Sequence, residues 1–183
     1  SSVISSSIKR SNLKKDEIDE VIMGQVLTGG TGQNPARQAA MKSGIPKETP
    51  AYLVNQVCGS GLRSIASGFQ SIKSGDSKII IAGGQESMSL APHAIHLRDG
   101  KKLGDAEIID TLIKDGLWDA FHGYHMGVTA ENVATKFQVT REDQDNFAIK
   151  SQNKALKAQK EKKFENEIIN LKIKSKKNEV NFI

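Results

Sequence analysis

The chain has 183 residues, of which 37% are hydrophobic and 26% charged. That is enough for one compact domain or parts of two, and it excludes a collagen-like or wholly disordered chain. No apolar run approaches the ~20 residues needed to cross a bilayer, and the single cysteine excludes an intramolecular disulfide framework or a multi-cysteine zinc site. A lone thiol suits a reducing compartment, so a cytoplasmic setting is expected, away from membranes. An organellar targeting segment stays open, because the chain does not begin with Met.

The net charge of +5 is a local feature. Residues 150–183 hold ten lysines and four glutamates, so the other residues sum to −1. This basic stretch carries only Phe164 and Phe182 as aromatics and no arginine. Nucleic-acid binders combine a basic face with stacking aromatics or an arginine-rich reading element. The sequence instead reads as a solvated helix face followed by a basic strand, with no nucleic-acid partner. Both ends read as those of a piece of a longer chain: Val3, Ile4 and Ile8 stand at helical spacing right at the start, and residues 179–183 break off within an alternating strand pattern.

Residues 20–27 (EVIMGQVL) form a short apolar run closed by Thr28-Gly29-Gly30, a strand signature. Residues 36–43 predict a helix opened by Pro35 and stopped by Gly44. A second strand is expected over 51–57. A helix follows over 59–74, with Leu62, Ile65, Ala66, Phe69 and Ile72 on one 3.6-residue stripe. Gly75-Asp76 ends it, and 78–82 predicts a third strand apolar enough for burial on both faces. Strand, helix, strand in this order defines an α/β sheet.

Beyond Gly83-Gly84 the pattern changes. Residues 87–104 have little periodicity and read as a surface excursion, and 108–117 as a short helix. A helix is expected over 126–137, with Ala130, Val133, Ala134 and Phe137 on a face. A longer one begins at Thr140, where Asp143 completes a near capping box, and runs to about 160.

Cys58 is the residue richest in chemical meaning. It falls where a strand gives way to a helix, in Asn55-Gln56-Val57-Cys58-Gly59-Ser60-Gly61. A thiol at a helix N-terminus meets unpaired N–H groups and the positive end of the macrodipole, both of which favour the nucleophilic thiolate. Gly59 and Gly61 permit a tight turn and an open approach. Against this stands the bland reading of a buried structural cysteine.

The histidines come in pairs three apart, His93 with His96 and His122 with His125. Pro92 makes the first pair a loop, and no further Cys or His completes a ligand set, so no metal site is expected. The second pair suits a pocket lining beside Tyr124 and Met126. Residues 29–34 are rich in glycine but lack the Gly-Lys-Ser/Thr end of a Walker motif, and read as a connecting loop. Gly83-Gly84 signals close backbone approach.

Several stretches together resemble the thiolases, and within them the biosynthetic branch. They are Gly32-Gln33-Asn34-Pro35-Ala36-Arg37, the Cys58 segment, Gly83-Gly84-Gln85-Glu86-Ser87-Met88-Ser89, Gly123-Tyr124-His125-Met126-Gly127 and Thr129-Ala130-Glu131-Asn132-Val133-Ala134. The resemblance spans essentially the whole chain. It implies a thiolase-like layered α/β/α core over 1–90, incomplete and without its first strand. Residues 91–183 would then be part of an inserted loop domain, with a tetramerisation segment at 91–104.

The implied activity is reversible Claisen condensation of two acetyl-CoA to acetoacetyl-CoA. CoA thioesters would be substrates, so no cofactor is implied. Cys58 would carry the acyl group and its backbone N–H would help form an oxyanion hole. His125 would lie beside the pantetheine arm and Met126 near the short acyl group. The family's Gly-His-Pro histidine, Cys-x-Gly second cysteine and Asn-Glu-Ala-Phe asparagine do not occur in this chain. Two other readings stay open: a decarboxylating ketoacyl-synthase-type condensing enzyme, and a short module that binds CoA or acyl groups without turnover.

Overall fold

The computed structural model describes residues 1–174 and 179–182. By their contacts the residues group into two units, 1–120 and 121–183. This grouping does not speak to the family's own domain boundary, expected after residue 90.

The first unit opens with helix α1 (Ser2–Arg10), whose Ile4 and Ile8 are buried while Val3 faces outward. Strand β1 (Glu20–Gly24) is the middle of a three-stranded parallel sheet, flanked by β2 (Ala51–Val54) and β3 (Ile80–Gly84) in the order β2-β1-β3. Its central place explains its burial: Val21 and Ile22 have no exposed surface, as befits a strand covered on both faces. β3, at an edge, is half-buried for most of its length, which corrects the expectation of burial on both faces.

Helix α2 (Pro35–Lys42) packs Ala36, Ala39 and Ala40 into the core with Ile18 and Ile45. Asn34 caps it by accepting the Arg37 N–H, and Pro35 occupies the first turn, where its missing N–H costs nothing. All three strands are offset from or shorter than the sequence reading. Residues 25–27 and 55–57 leave the sheet to build loops at its C-terminal edge.

Helix α3 (Ser60–Ser74) forms close to where the periodicity places it. Its apolar stripe does not face the sheet: Leu62 is 74% exposed, Phe69 63%, Ile65 53% and Ile72 45%. The buried residues are Ser60, Ser64 and Gly68, spaced four apart. Small side chains let the helix backbone come down onto the strand ends. Ser64 Oγ lies 2.7 Å from the carbonyl oxygens of both Gly61 and Gly83, and Gly68 faces the Ile80 side chain.

Residues 87–104 are mainly exposed, as expected of a surface excursion, but they include a two-residue strand β4 (His93–Ala94) paired antiparallel with β5 (Ile109–Asp110). His93 therefore lies on a strand rather than in a loop, 3.9 Å from the Asp110 carboxylate. The helix expected over 108–117 becomes this strand followed by one π-helical stretch, Leu112–Leu117.

In the second unit, helix α4 (Met126–Phe137) is followed by α5 (Arg141–Lys160). Thr140 and Asp143 form the capping box read from the sequence. Almost every residue of α5 is exposed, in keeping with a solvated helix. Strands β6 (Leu171–Lys174) and β7 (Glu179–Phe182) pair antiparallel. Ile183 and the Lys176-Lys177 part of the basic stretch lie outside the described residues. No described helix is long and apolar enough to cross a membrane.

Candidate active site

Cys58 is exposed, one turn residue removed from the start of α3. It lines a cavity of about 400 Å³ at the C-terminal edge of the sheet, the edge where open α/β sheets bind ligands. The floor is glycine: Gly24 ends β1, Gly84 ends β3 in register with it, and Gly61 sits on the first turn of α3. Leu27, Val57, Met88, Leu112 and Leu117 give apolar walls, and Gln25, Gln85 and Glu86 supply polar groups.

The turn that presents the thiol is tightly bonded. Val57 has φ +49°, a left-handed backbone that a β-branched residue rarely adopts. Asn55 Oδ1 accepts the Val57 N–H at 2.9 Å, and Gly59 N–H donates to the Gln56 carbonyl at 3.0 Å. Ser60 Oγ accepts the Gln56 N–H at 2.8 Å and donates to the Val57 carbonyl at 2.6 Å. This strand–sharp turn–helix geometry is that of a nucleophile elbow, in which the turn holds the reactive atom clear of the backbone. Exposure of Cys58 removes the reading of a buried structural cysteine.

The opposite wall is also held by side chains. Glu86 accepts hydrogen bonds from the Val26 and Leu27 N–H groups at 2.9 and 3.0 Å. Buried Gln25 donates to the Leu27 carbonyl at 2.8 Å and accepts from Gln85 Nε2 at 2.8 Å. The sequence reading assigned no role to Gln25, Ser60 or Glu86. Ser60 and Glu86 stood within stretches that carry the family resemblance, whereas Gln25 had only its position, next to a strand end, as a signal.

Of the other sequence-derived residues, His125 and Met126 belong to the second unit, where His125 is the N-cap of α4 and Met126 its first residue. His125 Nδ1 accepts the Gly127 N–H at 3.0 Å, so in the neutral ring the proton sits on Nε2 and a donor faces outward. Both side chains are exposed. The His122 and Tyr124 rings stack at 5.6 Å. No three His, Cys, Asp or Glu side chains among the described residues are gathered so as to hold a metal ion.

A parallel α/β sheet with glycine-ended strands, and an exposed cysteine on the turn that leads into α3, is the arrangement of the thiolase fold. The chain matches the thiolase N-terminal domain over residues 1–183 and belongs to the thiolase family. It is 60% identical over 178 residues to an acetyl-CoA acetyltransferase of Rhizobium meliloti (strain 1021), covering 97% of this chain and 45% of the relative. The crystal structure of the Bacillus anthracis acetyl-CoA acetyltransferase superposes with a TM-score of 0.93 at 37% identity, covering 98% of this chain and 46% of that one. The Acat5 thiolase from Ascaris suum, solved in complex with coenzyme A, gives 0.88 at 39% identity, covering 92% and 44%. The chain thus spans a little under half the length of the relatives it matches.

Proposed function

We propose that this chain carries the acyl-accepting part of an acetyl-CoA acetyltransferase, in which two acetyl-CoA condense reversibly to acetoacetyl-CoA and CoA. The observation that carries the reading is the exposed Cys58 on a strained turn at the start of α3, opening on a cavity with apolar walls. In the first half-reaction the Cys58 thiolate attacks the thioester carbonyl and the CoA sulfur leaves with the electron pair. A new thioester to Cys58 replaces the old one, so little energy is lost. In the second, an acetyl-CoA deprotonated at its α-carbon attacks the acyl-cysteine and releases the thiolate. The chain has one cysteine and one thiol chemistry to offer, that of the acyl carrier.

The Cys58 N–H is read as one donor to the oxyanion that forms during each attack. His125 and Met126 are read as substrate-binding residues, on the strength of the Gly-Tyr-His-Met-Gly motif and the outward Nε2–H of His125. The same relatives, acetyl-CoA acetyltransferases and a thiolase, favour this over a decarboxylating enzyme. No cofactor enters this chemistry. A homotetramer is part of the proposal, supported by the exposed Ile95, Leu97 and Leu103 in or beside the 91–104 loop. So is a cytoplasmic setting, in keeping with the single cysteine of this chain.

The test is peptide mass mapping after brief exposure to acetyl-CoA. An acetyl group on the Cys58 peptide, absent in C58A, is the expected result. Acetylation that persists undiminished in C58A would overturn the assignment.

A further inference from the structure

The acyl-transfer reading uses the Cys58 thiol and the Cys58 N–H, and it leaves open what aims that N–H. The answer lies one peptide upstream. The Cys58 N–H and the Val57 C=O belong to the same peptide group, which is trans, so the two lie in one plane and point in opposite directions. Whatever fixes the Val57 carbonyl fixes the direction of the Cys58 N–H.

Val57 cannot fix it alone. Its φ of +49° is a strained conformation for a residue with a branched side chain, and such strain persists only where the surroundings impose it. Ser60 imposes it. Its hydroxyl and its own N–H both donate to the Val57 carbonyl, at 2.6 and 3.1 Å, and the hydroxyl oxygen accepts the Gln56 N–H at 2.8 Å. Ser60 is 4% exposed, so water does not compete for these bonds. Asn55 restrains only the preceding peptide, through the Val57 N–H.

We propose that Ser60 is a positioning residue: its hydroxyl clamps the Val57–Cys58 peptide and keeps the Cys58 N–H aimed at the oxyanion of an acyl group attacked by the Cys58 thiolate. The proposal rests on the acyl-transfer reading.

Two reactions of the same thiol separate this role from general support of the turn. Acetylation by acetyl-CoA passes through an oxyanion, whereas alkylation by iodoacetamide displaces iodide at a saturated carbon and forms none. S60A should lower the limiting rate of Cys58 acetylation about tenfold or more, with the half-saturating acetyl-CoA concentration little changed. Alkylation should stay within about twofold of the parent, and S60T, which keeps the hydroxyl, should recover most of the acetylation rate. A urea midpoint for each variant monitors folding. Where S60A does not fold, S60C keeps the packing with a far weaker donor, and Cys58 is followed by peptide mapping.

Equal loss of acetylation and alkylation in the tested variant, or S60T as slow as S60A, would overturn the proposal. So would parental acetylation without the hydroxyl. A complete enzyme containing this chain whose Cys58 is alkylated but never acetylated would overturn the acyl-transfer reading, and the clamp with it.

Discussion

Gly24 at the end of β1 lies against the backbone of Ser60 at the start of α3, so closely that a Cβ on Gly24 would fall well under 3.0 Å from the Ser60 carbonyl group. No side chain separates strand from helix at this point. Because the obstruction is backbone, it cannot rotate away. G24A should therefore destabilise the fold by about 3 kcal/mol, the upper part of the range for overpacking, read as a lowered urea midpoint at unchanged slope.

Glu86 joins two loops sixty residues apart in sequence by accepting the Val26 and Leu27 N–H groups. E86A should leave both amides without their partner while the sheet stays formed. Amide hydrogen exchange should then speed up at Val26 and Leu27 and hold steady at Val21 and Ile22 in the centre of β1. Exchange unchanged at all four amides would show that Glu86 does not anchor this wall.

Asp19 accepts the Ile79 and Lys78 N–H groups, at 2.9 and 2.7 Å, and these bonds hold its carboxyl below the ordinary aspartate value. The unfolded chain titrates this carboxyl at its ordinary value, so folding favours the ionised form. The stabilisation is complete above that ordinary value and is lost as pH falls through the lower, folded-state one. Urea midpoints from about pH 6 to about pH 2.5 should fall less steeply with acid in D19N than in the parent, since the variant has no such carboxylate to protonate.

The exposed stripe on α3 gives a prediction of the opposite kind. F69S removes an aromatic ring that is 63% exposed, so the urea midpoint should correspond to a change within about 0.5 kcal/mol. Binding of a dye that reports apolar surface should fall. A loss of several kcal/mol would mean that Phe69 is packed rather than outward-facing.

That stripe also shows where reading the sequence succeeds and where it stops. Periodicity identified α3 as a helix, because Leu62, Ile65, Phe69 and Ile72 recur at helical spacing. It could not say which face meets the sheet. Burial is decided by how closely the strand ends allow a helix to approach, and β1 and β3 both end in glycine at this edge. Ser60, Ser64 and Gly68, four apart, were the legible sign of such a contact, but a stripe of small residues is quieter than one of large ones.

Cys58 was legible for the opposite reason: its neighbours Gly59 and Gly61 are informative locally. Gln25, Glu86 and Leu112 reach the same cavity from the loops that follow β1 and β3 and from a π-helical stretch, and only the tertiary fold brings them there. The π-helical stretch itself was misread because its apolar spacing over 108–117 suits any helix, whereas Ile109 and Asp110 are taken by the β4–β5 pair.

The contact of α3 with the sheet has a mechanical side. A joint made by side chains can be re-spaced, since rotamers shift and a different residue can fill the gap. A joint made by backbone on backbone, glycine on one side and small residues on the other, has no such adjustable layer. The height of the thiol above the sheet is then set by peptide geometry, as by a machined shoulder. Changes on the outer face of α3, where Leu62, Ile65 and Phe69 point away, have no lever through which to move Cys58.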